Sequence, residues 1–282
     1  MILLNGKEVL FEKFPNNETR LVHTELDQSD FSNCIHFKYE DDSDLIKLML
    51  LKKYIGDGAH SWLFIYYMPY SRMDRSENNS PFTLKYVANF INSLSFDGVF
   101  VIEPHSNVTP ALLNNVCSWY INEELVKEAI KLANLDMSID YIMYPDAGAA
   151  SRYKNLKYPN VIIGNKTRDF VTGEIKGLQL IGDIKEGSKK VLILDDLSSY
   201  GGTFVHSSKA LKEQGFEEVY LLVAHAENSI FKGELFNHIN KVFTTDSILT
   251  EQSHWENKKY ENQLHIFSLE DFINNKIEKG DF

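Results

Sequence analysis

The sequence is short of cysteine, carries no excess of positive charge and contains no long hydrophobic run, and each shortage removes a class of function. Its two cysteines, Cys34 and Cys117, stand far apart without metal-ligand spacing. They read as reduced thiols of a cytosolic protein rather than as a disulfide scaffold or a metal knuckle. Lys and Arg number 29 against 40 Asp and Glu, a formal charge of −11. A nucleic-acid binder would need a basic face, so no nucleic-acid partner is expected. Small phosphorylated ligands stay compatible, because local donors hold them whatever the net charge. No stretch approaches the length of a membrane span. The opening MILLNGKEVLFEKF lacks a long apolar core behind a basic start, so neither a signal peptide nor a membrane partner is expected. The expected location is the cytoplasm.

What is present is 282 residues, 43% of them apolar, enough for one large or two medium domains. Short apolar runs alternate with amphipathic stretches. Ser61–Met68 reads as a buried strand, and Thr83–Leu94 has apolar residues at Leu84, Val87, Ala88 and Ile91, a helical spacing. Gly98–Ile102 is a second strand and Asn122–Ala133 a helix. The rhythm repeats with Tyr141–Tyr144, Asn160–Gly164 and Val191–Leu194, then a helix over Ser207–Gln214 stopped by Gly215, then the strand Glu218–Ala224. Alternation of this kind implies parallel sheets covered by helices on both faces, with ligands beyond the carboxyl ends of the strands. Five polar clusters sit there: PYSRMDR, EPHSN, PDAG, NKTR and DDLSSYGGT. Asn134–Ser138 is the linker candidate between the two series.

The cluster DDLSSYGGT carries the most chemistry. Glycines after a strand let backbone N–H groups approach an anion, and a following helix presents its positive end to it. Ser198, Ser199 and Thr203 add hydroxyls around Tyr200, Gly201 and Gly202, so the loop suits a phosphate. Asp195 and Asp196 suit vicinal hydroxyls or a hydrated Mg²⁺. A sugar phosphate satisfies both.

VLILDDLSSYGGT resembles the ribose-phosphate loop shared by phosphoribosyltransferases and phosphoribosyl pyrophosphate (PRPP) synthetases. The rest of the chain favours the synthetases. YMPYSRMDRSENNSPFTLK is similar to their Pro-Tyr-x-Arg-x-Asp-Arg core followed by Pro-x-Thr-x-Lys. VIEPHS is similar to their strand ending in Asp-Leu-His, YPDAGAASR to their Pro-Asp-x-Gly turn, and Lys166-Thr167-Arg168 to their Lys-x-Arg catalytic segment. His225 and Thr244–Ile248 fall where the family has a late His and a Thr-Asn-Ser/Thr-Ile turn. The similarity runs in order from about Phe14 to the last helix.

The resemblance implies an α/β fold of two phosphoribosyltransferase-like domains, with parallel sheets flanked by helices, related by a pseudo-twofold. Residues 1–135 would form the ATP side and 136–282 the ribose-phosphate side, the last helix packing back on the first domain. It implies an Mg²⁺-dependent transfer of the β,γ-diphosphoryl group of ATP to the anomeric hydroxyl of a ribose 5-phosphate unit, with release of AMP. Lys166 and Arg168 would stabilise the transition state. Arg72, Asp74 and Arg75 would serve ATP, His105, Glu103 and Asp146 the metal (His105 also catalysis), and Asp195, Asp196 and Ser198 to Thr203 the acceptor. Phe14 and Glu18 resemble part of a Phe-Pro-Asp-Gly-Glu loop that closes over adenine from a neighbouring subunit, which implies a homo-oligomer.

Several positions depart from the family pattern. Glu103-Pro104 replaces Asp-Leu, Met73 a Gln, Asn16 an Asp and Ala149 a Gly. Tyr200 stands where a Thr is usual; its ring can stack on a base and its hydroxyl sits farther from the backbone. Two acceptors therefore stay open, ribose 5-phosphate giving PRPP, and ADP-ribose giving ADP-ribose pyrophosphate for NAD⁺ rebuilding, as in phage relatives. Two readings of other classes are a phosphoribosyltransferase that consumes PRPP, and an inactive regulatory subunit. The first has no use for PYSRMDR; retention of Lys166, Arg168, Asp195, Asp196 and His105 argues against the second.

Overall fold

The computed structural model describes residues 1–22, 32–77, 79–168, 175–185, 187–249 and 258–279, without the side chains of residues 166–168, 175–176, 258 and 278–279. The chain divides into two compact units, Met1–Tyr120 and Ile121–Phe282.

The first unit contains β1 (Ile2–Leu4), β2 (Lys7–Glu8), β3 (Phe11–Lys13), β4 (Thr19–Leu21), β5 (Ser32–Phe37), α1 (Ser43–Ile55), β6 (His60–Ile65), α2 (Thr83–Ser93), β7 (Gly98–Ile102), α3 (Val108–Leu112) and β8 (Val116–Trp119). Its sheet has the order β2-β1-β5-β6-β7-β8, parallel from β5 to β8 and antiparallel at the β1 end. Alternate strand residues (Ile35, Phe37, Leu63, Ile65, Val99, Val101) join Leu48 and Leu51 of α1 and Leu84, Ala88 and Ile91 of α2 in one core. Each buried Val, Leu, Ile or Phe among them contributes about 1.5–3 kcal/mol of transfer free energy. The intervening positions build an aromatic layer, in which Phe64 and Phe100 stack at 4.7 Å and Trp119 tilts against both.

The second unit contains α4 (Asn122–Leu132), β9 (Tyr141–Tyr144), α5 (Ala147–Arg152), β10 (Val161–Arg168), β11 (Ile175–Ile181), β12 (Lys190–Ser198), α6 (Gly202–Glu213), β13 (Glu218–Ala226), α7 (Leu235–His238), β14 (Lys241–Thr245), β15 (Leu264–Phe267) and α8 (Leu269–Lys279). The sheet order is β11-β10-β9-β12-β13-β14-β15, parallel from β10 to β15, with β11 antiparallel on β10. The fold is α/β, with parallel-dominated mixed sheets flanked by helices. Parallel strands are buried on both faces, which is why β9 and β13 read as nearly unbroken apolar runs.

Some boundaries differ from the sequence reading. The helix α4, read with residues 1–135, lies in the second unit; it buries Leu125, Val126 and Ala129 and packs on β12 and β13. β12 does not stop at Leu194 but keeps its ladder with β13 through Asp195 and Leu197 to Ser198. Backbone hydrogen bonding is indifferent to side-chain polarity, so the apolar run understates the strand. β6 ends at Ile65, short of Met68. In α8, Lys276 Nζ lies 2.6 Å from Glu124 Oε1 of α4.

Candidate active site

In the second sheet the chain passes from β9 to β10 on one side and returns to β12 on the other, so β9 and β12 flank a topological switch point. The loops beyond such strand ends diverge and leave a crevice. Asp146 follows β9 there, and Asp195 and Asp196 lie in the last half of β12, ahead of its final residue Ser198. Asp146 caps α5, its Oδ1 accepting from Ala149 N at 3.0 Å. Arg152, the last residue of α5, donates from Nη1 to Asp196 Oδ1 at 2.7 Å and to Asp195 Oδ1 at 3.4 Å. Asn122 of α4 donates from Nδ2 to the Asp195 carbonyl at 2.8 Å and to the Tyr153 hydroxyl at 2.9 Å. Burial first, then the charge of Asp196, with Asp146 adding to it, pushes the Asp195 carboxyl well above the usual carboxylate range.

The loop after β12 is bound to the loop after β13. Glu227 N donates to Ser198 O at 2.9 Å, and Ser199 Oγ lies 3.1 Å from Ser229 Oγ, which donates to Glu227. Gly201 has φ 78° and caps the start of α6; a Cβ there would come within 2.8 Å of Leu235 Cδ1. Gly202 is different. A Cβ on it would meet nothing within 4 Å, so neither backbone nor neighbours require a glycine. What it leaves is open space against the first N–H groups of a twelve-residue helix, the geometry that receives a phosphate. Thr203 begins that helix beside it, and the Tyr200 side chain is 59% exposed. His225 is buried, with Nδ1 2.8 Å from Ser247 Oγ, and braces the strand ends.

The first unit builds its own strand-end cluster. Tyr70 holds φ 59°, a strained value for a bulky residue, and its hydroxyl donates to Asp42 Oδ1 at 2.5 Å, as that of Tyr39 does at 2.7 Å. That anchor fixes the loop carrying Arg72, which is exposed. Asp74 is buried and ties this loop to the one after β7. Burial alone would raise its carboxyl; hydrogen bonds from Ser106 and Arg75, with the charges of Arg75 and His105, outweigh that and hold it below the usual range. Arg75 is exposed, its Nε 2.9 Å from Asp74 Oδ1. Glu103 is fully buried at φ 42°, its N–H donating to Trp119 O at 2.8 Å, and His105 beyond it is half-buried. Phe14 and Glu18 close the β3–β4 turn: Phe14 N donates to Glu18 O at 2.8 Å, and the Arg20 guanidinium lies over the Phe14 ring.

Lys166 and Arg168 lie on β10, paired with β11, and their side chains lie outside the described residues. Among the described residues no three His, Cys, Asp or Glu side chains form a ready-made metal cage. Mg²⁺ does not need one, since it is usually held by one or two carboxylates with substrate phosphates and water. Asp146, across the strand ends from Asp195 and Asp196, is the carboxylate that would share such an ion with phosphates and water. The sequence reading missed Arg152 and Asn122. A short six-residue helix has no readable periodicity; the one available signal was that two buried carboxylates call for a cation.

No family model matches the chain. Ribose-phosphate pyrophosphokinase A of Dictyostelium discoideum is 28% identical over 186 residues, covering 64% of this chain and 56% of that protein. The chain thus spans little more than half the length of this relative. The ribose-phosphate pyrophosphokinase of Pyrococcus abyssi is 26% identical over 259 residues, covering 87% and 86%. The crystal structure of phosphoribosylpyrophosphate synthetase from Mycobacterium smegmatis superposes with a TM-score of 0.74 at 17% identity, covering 96% of this chain and 89% of that one, a likeness of fold. At this modest identity the chain is similar in sequence to ribose-phosphate pyrophosphokinases and shares its fold with a PRPP synthetase.

Proposed function

We propose that the protein is an ATP-dependent diphosphotransferase acting on a ribose 5-phosphate unit. The observation that carries this reading is the end of β12: paired carboxylates followed by Gly201 at positive φ and by Gly202 under open space, at the start of α6. The names of the similar proteins support it.

In the proposed step the anomeric hydroxyl oxygen attacks the β-phosphorus of ATP. An O–Pβ bond forms, the bridging bond between Pα and Pβ breaks, AMP leaves with the bridging oxygen, and the hydroxyl proton passes to solvent. Such a transfer depends on in-line positioning and on cations around the equatorial oxygens more than on a base. Asp195 and Asp196 orient the ribose through its vicinal hydroxyls, and Ser199, Gly202 and Thr203 receive the 5-phosphate. Arg72 meets ATP phosphates, with Asp74 and Arg75 shaping its loop and Phe14 and Glu18 serving adenine. Lys166 and Arg168 carry the transition-state charge. Mg²⁺, when bound by Asp146 on the acceptor side and by His105 on the ATP side, would neutralise phosphate charge; Glu103, fully buried before His105, does not fit as a ligand of a substrate-bound ion. The protein is expected to work in the cytoplasm as a homo-oligomer.

Ribose 5-phosphate is the first acceptor reading. ADP-ribose is the second, favoured by the exposed Tyr200 ring beside the phosphate loop, where an acceptor continuing past its 5-phosphate could stack.

AMP release from ATP, with ribose 5-phosphate and with ADP-ribose, tests both. Activity with either acceptor is expected, falling roughly 10²-fold or more in Lys166→Ala and in Arg168→Ala. No AMP with either acceptor defeats the reading. A tenfold wild-type preference for ribose 5-phosphate, unchanged in Tyr200→Thr, ends the ADP-ribose alternative.

A further inference from the structure

Arg152 is placed as no ordinary surface arginine would be. It is 14% exposed, against 15% for Asp195 and 5% for Asp196, and one of its nitrogens reaches an oxygen of both. The cluster is fixed from other sides as well. Asp196 N donates to Asp195 Oδ1 at 2.9 Å, Asn122 holds the Asp195 carbonyl, and the Arg152 guanidinium lies 5.9 Å from the centre of the Tyr153 ring, whose hydroxyl accepts from that same Asn122. The helix that ends in Arg152 is capped at its other end by Asp146, so six residues link the turn after β9 to the end of β12.

Successive residues of a strand point to opposite faces. Two adjacent aspartates therefore do not converge on one ligand unless something outside the strand draws them together. Their mutual repulsion in a poorly solvated place works against it too. A guanidinium shared between one oxygen of each carboxylate supplies both the direction and the opposite charge.

We propose that Arg152 is the positioning residue of the acceptor site, drawing Asp195 and Asp196 into one side-by-side acceptor pair for the vicinal hydroxyls of a ribose. It acts through the two carboxylates, not on the acceptor. This rests on the ribose-phosphate reading of the β12 end.

The test is calorimetric binding of ribose 5-phosphate and of ADP-ribose to the full chain, with KM and kcat for ATP and acceptor, in Arg152→Gln, Arg152→Lys, Asp196→Asn and the double variant Arg152→Gln/Asp196→Asn. Arg152→Gln should weaken acceptor binding tenfold or more while the ATP KM stays within twofold. Arg152→Lys, which keeps the charge but not the reach of Nη1, should recover part of the loss. The double variant should lose less than the product of the two single losses, because Asp196→Asn already removes one of the two carboxylates through which Arg152 acts. It also strands no uncompensated carboxylate at 196, so it reports even if Arg152→Gln folds poorly. Multiplicative losses in the double variant overturn the proposal, as does acceptor binding within twofold of wild type in Arg152→Gln, or an equal rise in both KM values. Wild-type protein that binds neither acceptor defeats the ribose-phosphate reading itself, and this proposal with it.

Discussion

Neighbouring residues of one type can be there for opposite reasons, as Gly201 and Gly202 are. Gly201 is required by the chain itself: φ is 78° and a Cβ would strike Leu235. Gly201→Ala should cost about 1–2 kcal/mol for the left-handed backbone alone, with the clash added. Gly202 has ordinary backbone and free space. Gly202→Ala should stabilise the fold by about 0.5–1 kcal/mol, since glycine loses the most freedom on folding. It should also raise the acceptor KM by roughly tenfold, a loss of about 1.4 kcal/mol, by filling the phosphate space. Thermal melting with steady-state kinetics checks both; a Gly202→Ala protein with unchanged acceptor KM would remove the phosphate from that spot. The sequence made both glycines conspicuous and could not separate their roles, because φ and the position of Leu235 are properties of the folded chain.

The aromatic layer between β5 and β8 holds a titratable group that the sequence offered no reason to single out. His36 stacks on Phe64 at 5.2 Å, and its Nδ1 lies 2.8 Å from the Tyr66 hydroxyl. Burial, helped by the Lys38 charge, lowers its pKa from 6.5 to about 4. Between those values the unfolded chain binds a proton that the folded chain refuses, so stability is full above pH 6.5 and falls as pH drops toward 4. The loss should reach about 3 kcal/mol in all. Denaturant titrations at pH 7 and pH 4.5 should show a steeper drop for the wild type than for His36→Gln. Parallel drops would mean that His36 is not held neutral. At this scale the apolar runs located β7 and β9 to the residue. They misjudged β12 and α6, which opens at Gly202, five residues ahead of the expected Ser207, because a backbone cap leaves no side-chain signal.

Across the whole chain each unit carries its own strand-end cluster, which makes the proposed division of labour testable. Arg72→Ala should raise the ATP KM tenfold or more, a loss of about 1.4 kcal/mol or greater, with the acceptor KM within twofold. Asp195→Ala should do the reverse. Initial-rate kinetics with each substrate varied in turn checks this, and a variant that shifts both KM values equally would assign its residue to folding. The boundary between units lies at Tyr120–Ile121, ahead of the linker candidate Asn134–Ser138. An amphipathic helix such as α4 declares that it has an apolar face; it does not declare which sheet covers it.

By itself the sequence determined the α/β class and the placement of PYSRMDR, EPHSN and PDAG after their strands, whereas NKTR lies inside β10 and the two aspartates of DDLSSYGGT inside β12. The class and the Asp195–Asp196 loop follow from local pattern, namely hydrophobic periodicity and glycine position, while Arg72, His105 and Lys166 were candidates because of the family resemblance. Only the tertiary structure decided that β9 and β12 flank the switch point, that Asp146 caps a helix, and that Arg152 closes on both aspartates. The reason is sequence distance. Arg152 and Asp196 are separated by 44 positions, and a contact across that interval is made by strand order in the sheet, which no local pattern contains.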